Sequence, residues 1–463
     1  MLVIEIPYRD PFAAFHAFAG APHCALLDSA AVGDPRARWS YVAADPFQVI
    51  VSDAAGVTVD GRPVPGAPFD VLGAALAACP LAAAETPVPF RTGAIGFLGY
   101  ELGRHLERLP APRPAIPALP EMVMGLYDVL LAFDRQEQRA YLLSSGLPER
   151  GGAATIRARR RADAMLERLA GAPQHAPAAD FTVTGHFIPD QPRAEVEASI
   201  ARVIEYIRAG DIFQANLTQQ MRAPMPAGLD DLGLYARLRT LSPSPFAAFL
   251  RCGADMSVLS ASPERFLSLL PDGRVETRPI KGTRPRSADP EEDKALAAEL
   301  LASPKDRAEN LMIVDLLRND LSRVSQVGSV KVPALCALET FASVHHLVSV
   351  VVSQLKEGLG PVDLLKACFP GGSITGAPKI RAMEIIHELE PAPRGVYCGS
   401  VAWIGFDGAM DSSIVIRTIT RKGDTLLTQA GGGIVADSDP AGEYEESLVK
   451  LAPMLRALSG ERR

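Results

Sequence analysis

The chain has 463 residues, a formal net charge of −7 and an isoelectric point near 5.7. This length suits two or three lobes, each large enough to bury its own interior. Apolar residues make up 48% and charged residues 22% of the sequence, which is typical of a folded globular protein. The acidic balance argues against a main role in binding phosphate backbones, because that needs a basic face. If the protein handles an acidic metabolite, positive charge must therefore be concentrated locally.

The sequence predicts neither export nor membrane insertion. Residues 1–7 lack a basic stretch followed by a long apolar one. The longest apolar run, residues 71–84, contains Pro80 and is too short to span a bilayer. The six cysteines are scattered without a Cys-x-x-Cys pair, as expected for reduced thiols. We expect a cytoplasmic protein.

Residues 1–145 predict short strands separated by turns. The clearest strand signals are two predicted pairs, at residues 49–51 with 57–59 and at residues 129–133 with 141–143. Residues 110–120 carry five prolines and predict an extended surface connection.

Residues 146–192 contain an Arg-rich helix, predicted over 156–169, and then a linker rich in Pro, Ala and His. This segment is the best candidate boundary between the region 1–145 and the region 193–463.

The region 193–463 mixes predicted helices with predicted strands. Apolar residues at helical spacing predict a helix between Pro192 and Gly210. Ser303-Pro304 predicts the start of a second helix that runs towards Arg318. Asp439-Pro440 predicts a last helix to Leu458, with a kink at Pro453. Strands are predicted at 258–260, 266–270, 275–278, 343–355, 413–420 and 425–429. Because strands and helices do not alternate regularly, an α+β fold is favoured over a doubly wound one.

Two glycine-rich stretches depart from the nucleotide-binding patterns that they approach. Residues 371–379 have phosphate-loop spacing, but Ala377-Pro378 stand where Lys-Ser/Thr is required. Thr375 replaces the second glycine of a nucleophile elbow. Residues 431–433 follow a predicted strand but do not open a helix. Both stretches predict tight turns, whose backbone N–H groups can approach an anion.

Four carboxylates occur in pairs at helical spacing: Asp306 with Glu309, and Glu443 with Glu446. Two interpretations are open, either solvated acidic faces or a hard-cation site formed by oxygen ligands from two helices. The adjacent pair His345-His346 lacks the spacing of zinc ligands.

Lys281 lies in a predicted turn after a strand. A surface lysine is one interpretation. A nucleophilic lysine would need desolvation or nearby positive charge to keep its amine neutral.

In their order and spacing, these segments resemble the chorismate-binding enzyme family. The resemblance covers residues 26–29, 93–97, 262–266, 278–283, 305–311, 344–347, 372–379, 414–418, 429–433 and 443–450. It implies an α+β fold like that of anthranilate synthase component I, with two packed antiparallel β-sheets and helices outside. It also implies an N-terminal region over 1–145 and a chorismate-binding catalytic domain over 193–463.

A few positions indicate the branch of the family. Anthranilate synthases typically carry Ala where Lys281 stands, whereas the Pro-Ile-Lys-Gly-Thr form resembles the aminodeoxychorismate synthases, in which this lysine is the nucleophile. Isochorismate and salicylate synthases carry a water-activating lysine in place of Gln214. Asp306, where many anthranilate synthases have Glu, also fits the aminodeoxychorismate branch. The resemblance thus implies a transaminase-class enzyme of 4-aminobenzoate and folate biosynthesis that converts chorismate and ammonia to 4-amino-4-deoxychorismate.

The resemblance also implies roles for individual residues. Lys281 would be the nucleophile, Glu264 the general acid, and His346 a supporting group near the ring. The cofactor would be Mg²⁺, held by Asp306, Glu309, Glu443 and Glu446. The substrate would contact Gln214, Gly282, Ser373, Tyr397, Arg417, Gly431, Gly433 and Lys450. Ser29, Pro245 and Phe246 lie where relatives bind tryptophan, and an ordinary core contact is the alternative there.

Partners follow from what the sequence lacks. No cysteine lies in the Gly-x-Cys-x-Gly elbow of a class I glutaminase, so ammonia would come from a separate glutamine amidotransferase subunit, or be taken up free. Nucleic acid and membrane are not expected as partners. Two alternatives remain open: anthranilate synthase component I, and a non-catalytic regulator that binds chorismate or tryptophan.

Overall fold

Two antiparallel sheets of 12 strands each form the centre of the computed structural model, which describes residues 1–31, 33–82, 86–341 and 344–462. Strands are numbered in chain order. The first sheet contains β1 (Leu2–Ile6), β2 (His23–Asp28), β3 (Trp39–Ala44), β9 (Val129–Asp134), β10 (Arg139–Ser144), β11 (Ile188–Pro189), β12 (Gln214–Pro224), β13 (Phe246–Cys252), β14 (Met256–Ser262), β20 (Gly376–Ala377), β23 (Thr418–Lys422) and β24 (Thr425–Ile434). The second contains β4 (Gln48–Asp53), β5 (Gly56–Val59), β6 (Arg62–Val64), β7 (Gly93–Leu98), β8 (Met122–Tyr127), β15 (Arg265–Leu269), β16 (Arg274–Thr277), β17 (Ile280–Pro285), β18 (Lys331–Thr340), β19 (Val344–Gln354), β21 (Ser400–Gly405) and β22 (Met410–Ile414).

Each sheet joins strands from both ends of the chain. The first runs β1-β10-β9-β3-β2-β13-β14-β23-β24-β12-β11, with β20 beside β12. The second runs β17-β19-β16-β15-β22-β21-β7-β8-β4-β5-β6, with β18 beside β19. Strands from both sides of the 146–192 segment are therefore hydrogen-bonded to each other in both sheets.

Alternating side chains build the layers of the core. In β13, Ala248 and Leu250 belong to the apolar cluster shared by the two sheets, whereas Phe249 faces the other way. In β7, Ile95 and Phe97 lie in the shared cluster, and Ala94 and Leu98 belong to the outer one. This period of two is what a strand covered on both faces requires.

Helices cover the outer faces of the two sheets. They are α1 (Pro11–Phe15), α2 (Pro68–Ala77), α3 (Gly151–Ala170), α4 (Arg193–Ala209), α5 (Asp231–Leu241), α6 (Pro290–Ala302), α7 (Pro304–Val324), α8 (Pro361–Cys368), α9 (Lys379–Leu389) and α10 (Pro440–Ser459), with short 3₁₀ turns at Tyr100–His105 and Gly372–Ile374. Helices α1, α3, α5 and α10 pack on the first sheet, α2, α7 and α8 on the second, and α4 and α9 near β12. Within the described ranges, no helix has both the length and the hydrophobicity needed to cross a bilayer.

Most of the predicted elements are confirmed. Helix α4 begins after Pro192 and ends at Gly210, whose left-handed conformation (φ 85°) explains the glycine. The Ser303 side chain caps α7 by accepting from the Asp306 backbone N–H, and Asp439 caps α10 in the same way at Gly442. The strand predicted over 343–355 is β19, and residue 343 itself lies outside the described residues.

Three local predictions were wrong. The strand predicted over 413–420 is split into β22 and β23 because Arg417 adopts a positive φ of 51°. Lys281 lies in strand β17 and not in a turn. The glycines at 431–433 also lie inside a strand, where a Cβ on Gly431 would stand 1.9 Å from the Leu217 carbonyl oxygen of β12.

The close approach of β7 and β8 gives a stability prediction. A Cβ on Gly96 would lie 1.9 Å from the Val123 carbonyl oxygen and 2.9 Å from the Met124 Cα, so the backbone must shift. We expect Gly96→Ala to lower the free energy of unfolding by about 1–3 kcal/mol or to prevent folding. Gly73→Ala in α2 is the matched control, since its Cβ would meet Val362 at an ordinary 3.8 Å. The control should gain up to about 1 kcal/mol through helix propensity. Urea unfolding measures both, and equal stabilities of the two variants would contradict the steric argument.

Candidate active site

A bulge in β17 orients Lys281. The pairing of β17 with β19 shifts register between Lys281 and Thr283, around Gly282 at φ 77°. A Cβ on Gly282 would lie 2.8 Å from the Asp306 Cγ, so only glycine lets α7 approach this closely. The Lys281 side chain is half-buried, and its Nζ donates a hydrogen bond of 3.3 Å to the Ser373 carbonyl. Its amine therefore faces the 3₁₀ turn at 372–374.

Glu264 lies beside this amine, between β14 and β15. Its side chain is buried, and burial raises the pKa of its carboxyl group above the ordinary value. The charge of Lys281 and hydrogen bonding from the Ser373 side chain and the Ile280 backbone oppose this shift without cancelling it. The predicted acid and nucleophile thus come together, with Ser373 in contact with both.

His346 is buried on β19, opposite Thr283. Its Nδ1 lies 2.9 Å from the Thr283 Oγ1. Burial, and then the positive charge of Arg417, lower the His346 pKa to about 4. The imidazole is therefore neutral near pH 7 and can offer one donor and one acceptor.

Arg417 offers a guanidinium to an anion. Burial lowers the pKa of this group from its ordinary value. In the described part of the chain, no carboxylate or carbonyl is hydrogen-bonded to the Arg417 side chain, and it forms no ion pair there. A half-buried cation without a protein partner among the described residues suits a ligand carboxylate, which arginine binds bidentately.

Gln214 is the second polar side chain without a partner. It is 1% exposed, and neither its Nε2 nor its Oε1 has a hydrogen-bond partner among the described residues. Gly433 makes room for it, since a Cβ there would lie 2.1 Å from the Gln214 Nε2. An unpaired buried amide is costly, about 1–3 kcal/mol, and marks a position that a ligand can satisfy.

Tyr397 is buried in the outer core of the second sheet. Burial raises its pKa well above the ordinary value, and Cys398, Arg394 and Glu390 are its charged or titratable neighbours. Its hydroxyl is not hydrogen-bonded to Arg417 in the described part of the structure. The predicted contact of Tyr397 and Arg417 with the substrate stays a prediction.

The four acidic residues lie in one region where α7 faces α10 and β24. The Glu443 Oε2 and Glu446 Oε1 would lie 3.1 and 3.8 Å from a Cβ on Gly432. Burial raises the Glu309 pKa, and the charges of Asp306 and Glu443 add to the rise, while Lys281 and Lys305 oppose it. The acidic side chains of the two helices are therefore close enough to interact, whereas those of two unrelated solvated faces would not be.

Lysine ammonium groups occupy this acidic region. The Lys305 Nζ lies 3.3 Å from the Glu443 Oε1, and the Lys450 Nζ lies 2.7 Å from the Glu446 Oε1. Lys450 also donates to the Gly431 carbonyl at 2.9 Å. The donor set of hard oxygens fits Mg²⁺. In the described ranges, however, no three His, Cys, Asp or Glu side chains already converge to ligating distance.

The residues of the predicted tryptophan pocket line a separate cavity. Ser29, Pro245 and Phe246 contribute to one space of about 930 Å³ whose lining includes Trp39 and Trp403. The Ser29 hydroxyl donates to the Trp39 carbonyl at 2.5 Å. The cavity can hold an aromatic ligand, and the tryptophan assignment stays a prediction.

Sequence reasoning missed an ion pair that supports the site. Arg394 and Glu390 are both buried and 2.7 Å apart. Arg394 also donates to the Ile374 carbonyl at 2.7 Å and to the Asn216 carbonyl at 2.5 Å. The Glu390 carboxylate accepts from the Thr218 backbone N–H at 2.9 Å. In the sequence, the only signal for this ion pair was the spacing of four residues between Glu390 and Arg394. Many exposed ion pairs have the same spacing.

Comparison with known proteins agrees with this geometry. A family model described as chorismate binding enzyme matches residues 24–456. Aminodeoxychorismate synthase component 1 of Salmonella typhimurium is 42% identical over 466 residues, which cover 98% of each chain. Anthranilate synthase component 1 of Streptomyces coelicolor is 40% identical over 459 residues, covering 97% of this chain and 86% of that one. The crystal structure of anthranilate synthase component I from Streptococcus pneumoniae aligns with a TM-score of 0.79 at 33% identity, over 90% of this chain and 92% of that one.

The chain belongs to the chorismate binding enzyme family. The resemblance inferred from the sequence is confirmed, and so is the α+β fold of two antiparallel sheets with helices outside.

The buried carboxyl group gives a pH-dependent stability prediction. Because burial raises the Glu264 pKa, the folded protein favours the neutral form more than the unfolded chain does. Ionisation therefore costs stability, and this cost appears as pH rises above the pKa of the unfolded chain. We expect Glu264→Gln to increase the free energy of unfolding near pH 8, with the gain shrinking towards pH 4. Urea unfolding at both pH values tests this, and a gain that grows towards low pH would contradict it.

Proposed function

We propose that this chain is component 1 of an aminodeoxychorismate synthase and replaces the 4-hydroxyl group of chorismate with an amino group. The observation that carries the proposal is the convergence of Lys281 and Glu264 at Ser373. Relatives with this printed name in Salmonella typhimurium and Klebsiella aerogenes are each 42% identical over 98% of this chain. That degree of likeness over nearly the whole length supports the same activity.

Glu264 supplies the proton for the first step. Hydroxide is a poor leaving group, so the 4-hydroxyl must be protonated as its bond to carbon 4 breaks. A carboxyl group with a raised pKa keeps its proton until the substrate needs it. The Lys281 amine would attack carbon 2 as water leaves carbon 4, forming a C–N bond and shifting both double bonds of the ring diene. The result is a covalent adduct of substrate and lysine.

Ammonia completes the exchange. It attacks carbon 4, both ring double bonds shift back, and the bond between carbon 2 and the Lys281 nitrogen breaks. The lysine regains its electron pair, and the proton lost by ammonia passes to the ionised Glu264. Two allylic steps thus replace one difficult displacement.

The other residues bind and orient the dianionic substrate. Arg417 and the backbone of the glycine-containing strand β24 suit the enolpyruvyl carboxylate, and Tyr397 would contact the same group. Asp306, Glu309, Glu443 and Glu446 would hold Mg²⁺, which when bound supplies positive charge to the ring carboxylate.

Gln214 supports an amine over water as the nucleophile. A carboxamide has no basic nitrogen, so it cannot activate water as a general base. Its unpaired amide can instead donate to the substrate or orient ammonia. This favours amination over hydration of the ring.

We propose a glutamine amidotransferase subunit as the ammonia source. The component 1 names of the relatives imply a second component. The six cysteines are free, which supports a reducing compartment such as the cytoplasm.

Lys281→Ala tests the nucleophile. We expect turnover of chorismate and ammonia to fall by roughly 10³-fold or more, because no other amine lies beside Glu264 among the described residues. Binding of chorismate, followed by calorimetry, should persist. Lys294→Ala, in the exposed face of α6, removes the same charge and should leave turnover unchanged. Denaturing the working wild-type enzyme and measuring its mass should reveal a substrate adduct at Lys281.

The products separate this proposal from anthranilate synthase component 1. The proposed reaction retains the enolpyruvyl group, so no pyruvate should appear. Release of pyruvate together with fluorescent anthranilate by the wild-type enzyme would contradict the proposal and would identify an anthranilate synthase activity instead.

A further inference from the structure

Lys305 has no role in the proposed chemistry, but it pairs with one of the four carboxylates of the acidic region. It lies in the first turn of α7, next to Asp306, and its ammonium group reaches across to α10. The Lys305 Nζ is 3.3 Å from the Glu443 Oε1, which also accepts from the Ser438 hydroxyl at 2.6 Å. The ion pair between Lys305 and Glu443 therefore connects α7 with α10 beside Asp306, another of the four carboxylates.

Lys305 and Lys450 differ in how firmly they are held. Lys450 binds both Glu446 and the Gly431 carbonyl of β24. Among the described residues, Lys305 makes a single ion pair, with Glu443, and its side chain is 52% exposed. Because about half of the Lys305 side chain already faces water, its ammonium group can rotate into solvent while the buried Glu443 stays in place.

We propose that Lys305 is a displaceable counter-ion for the magnesium carboxylates. Its ammonium group pairs with Glu443 while the metal is absent, and it moves into solvent when Mg²⁺ binds. The inference rests on the proposed function, because that function supplies the Mg²⁺ site.

Electrostatics explains why such a residue is useful. Four carboxylates without a counter-ion would repel a substrate that carries two carboxylates of its own. With Lys305 and Lys450 in place, the region is partly neutralised before the metal arrives. A divalent ion then competes with one ammonium group, so the affinity for Mg²⁺ is lower than the acidic residues alone would give.

The test is the affinity for Mg²⁺ without substrate. Isothermal titration of the full chain with MgCl₂ should give Lys305→Met a Kd about three- to tenfold lower than wild type, because the competing charge is gone. Lys305→Arg keeps the charge and should stay within about twofold of wild type. Lys294→Met is the matched control for loss of one positive charge and should match wild type.

Thermal unfolding gives a second readout that does not need activity. Without Mg²⁺, Lys305→Met should melt below wild type, since Glu443 loses its counter-ion. With saturating Mg²⁺, the variant should show the larger rise in Tm, because the ion binds it more tightly.

The outcomes separate the two proposals. If wild type and both Lys305 variants bind Mg²⁺ with equal Kd, or if Lys305→Met binds more weakly, the displacement is wrong and the metal site stands. If none of them binds Mg²⁺, with or without chorismate, the metal site itself is wrong and the inference fails with it. If Lys305→Met does not fold, Lys305→Gln takes its place with the same expected direction.

Discussion

The buried ion pair between Glu390 and Arg394 is the constraint on which the site geometry depends. Arg394 donates to the carbonyl of Ile374, the residue after Ser373, and to the carbonyl of Asn216, two residues after Gln214. Glu390 accepts from Thr218 on the same strand. One pair thus fixes the 3₁₀ turn that contacts both Lys281 and Glu264, and the strand that places the unpaired amide. Removing either partner of such a pair leaves an unpaired buried charge, which lowers the free energy of unfolding by about 3–5 kcal/mol. This cost explains why both Glu390 and Arg394 are paired.

Local charge, and not the net charge, decides what this acidic protein can bind. The chain carries −7 overall, yet Lys281, Lys305 and Lys450 all lie close enough to lower the pKa of Glu446, and Arg417 lies close enough to lower that of His346. Their positions come from three kinds of element: a bulged strand, two helix surfaces and a strand break. The local concentration of cations expected from composition is present, but composition could not say which cations contribute. Only the fold brings cations that are more than 100 positions apart in the sequence close enough to act on the same carboxylate.

Sequence reasoning succeeded where the signal was local or where many segments agreed. Helix caps at Ser303 and Asp439 and the end of α4 at Gly210 were predictable, because each rests on contacts within a few residues. The identity of Lys281 and Glu264 as a pair came from the resemblance. Periodicity failed at 413–420, where a positive φ at Arg417 breaks a β-branched run, and at 431–433, where glycines extend a strand. Those glycines serve the close approach of β24 to β12, a tertiary demand that turn statistics do not include.

Three polar groups of the candidate site lack the full set of protein partners, within the described part of the chain, that would normally stabilise them. Gln214 buries an amide with neither atom paired, Glu264 sits in surroundings that disfavour its charge, and no protein anion pairs with Arg417 among the described residues. The unpaired amide weakens the folded protein, and under the proposed function the substrate would give Gln214 a polar partner and Arg417 a carboxylate. A ligand that lacks the hydroxyl would leave the Glu264 proton without an acceptor. The same features that make the site costly to fold would therefore favour a ring that carries both acids and a leaving hydroxyl.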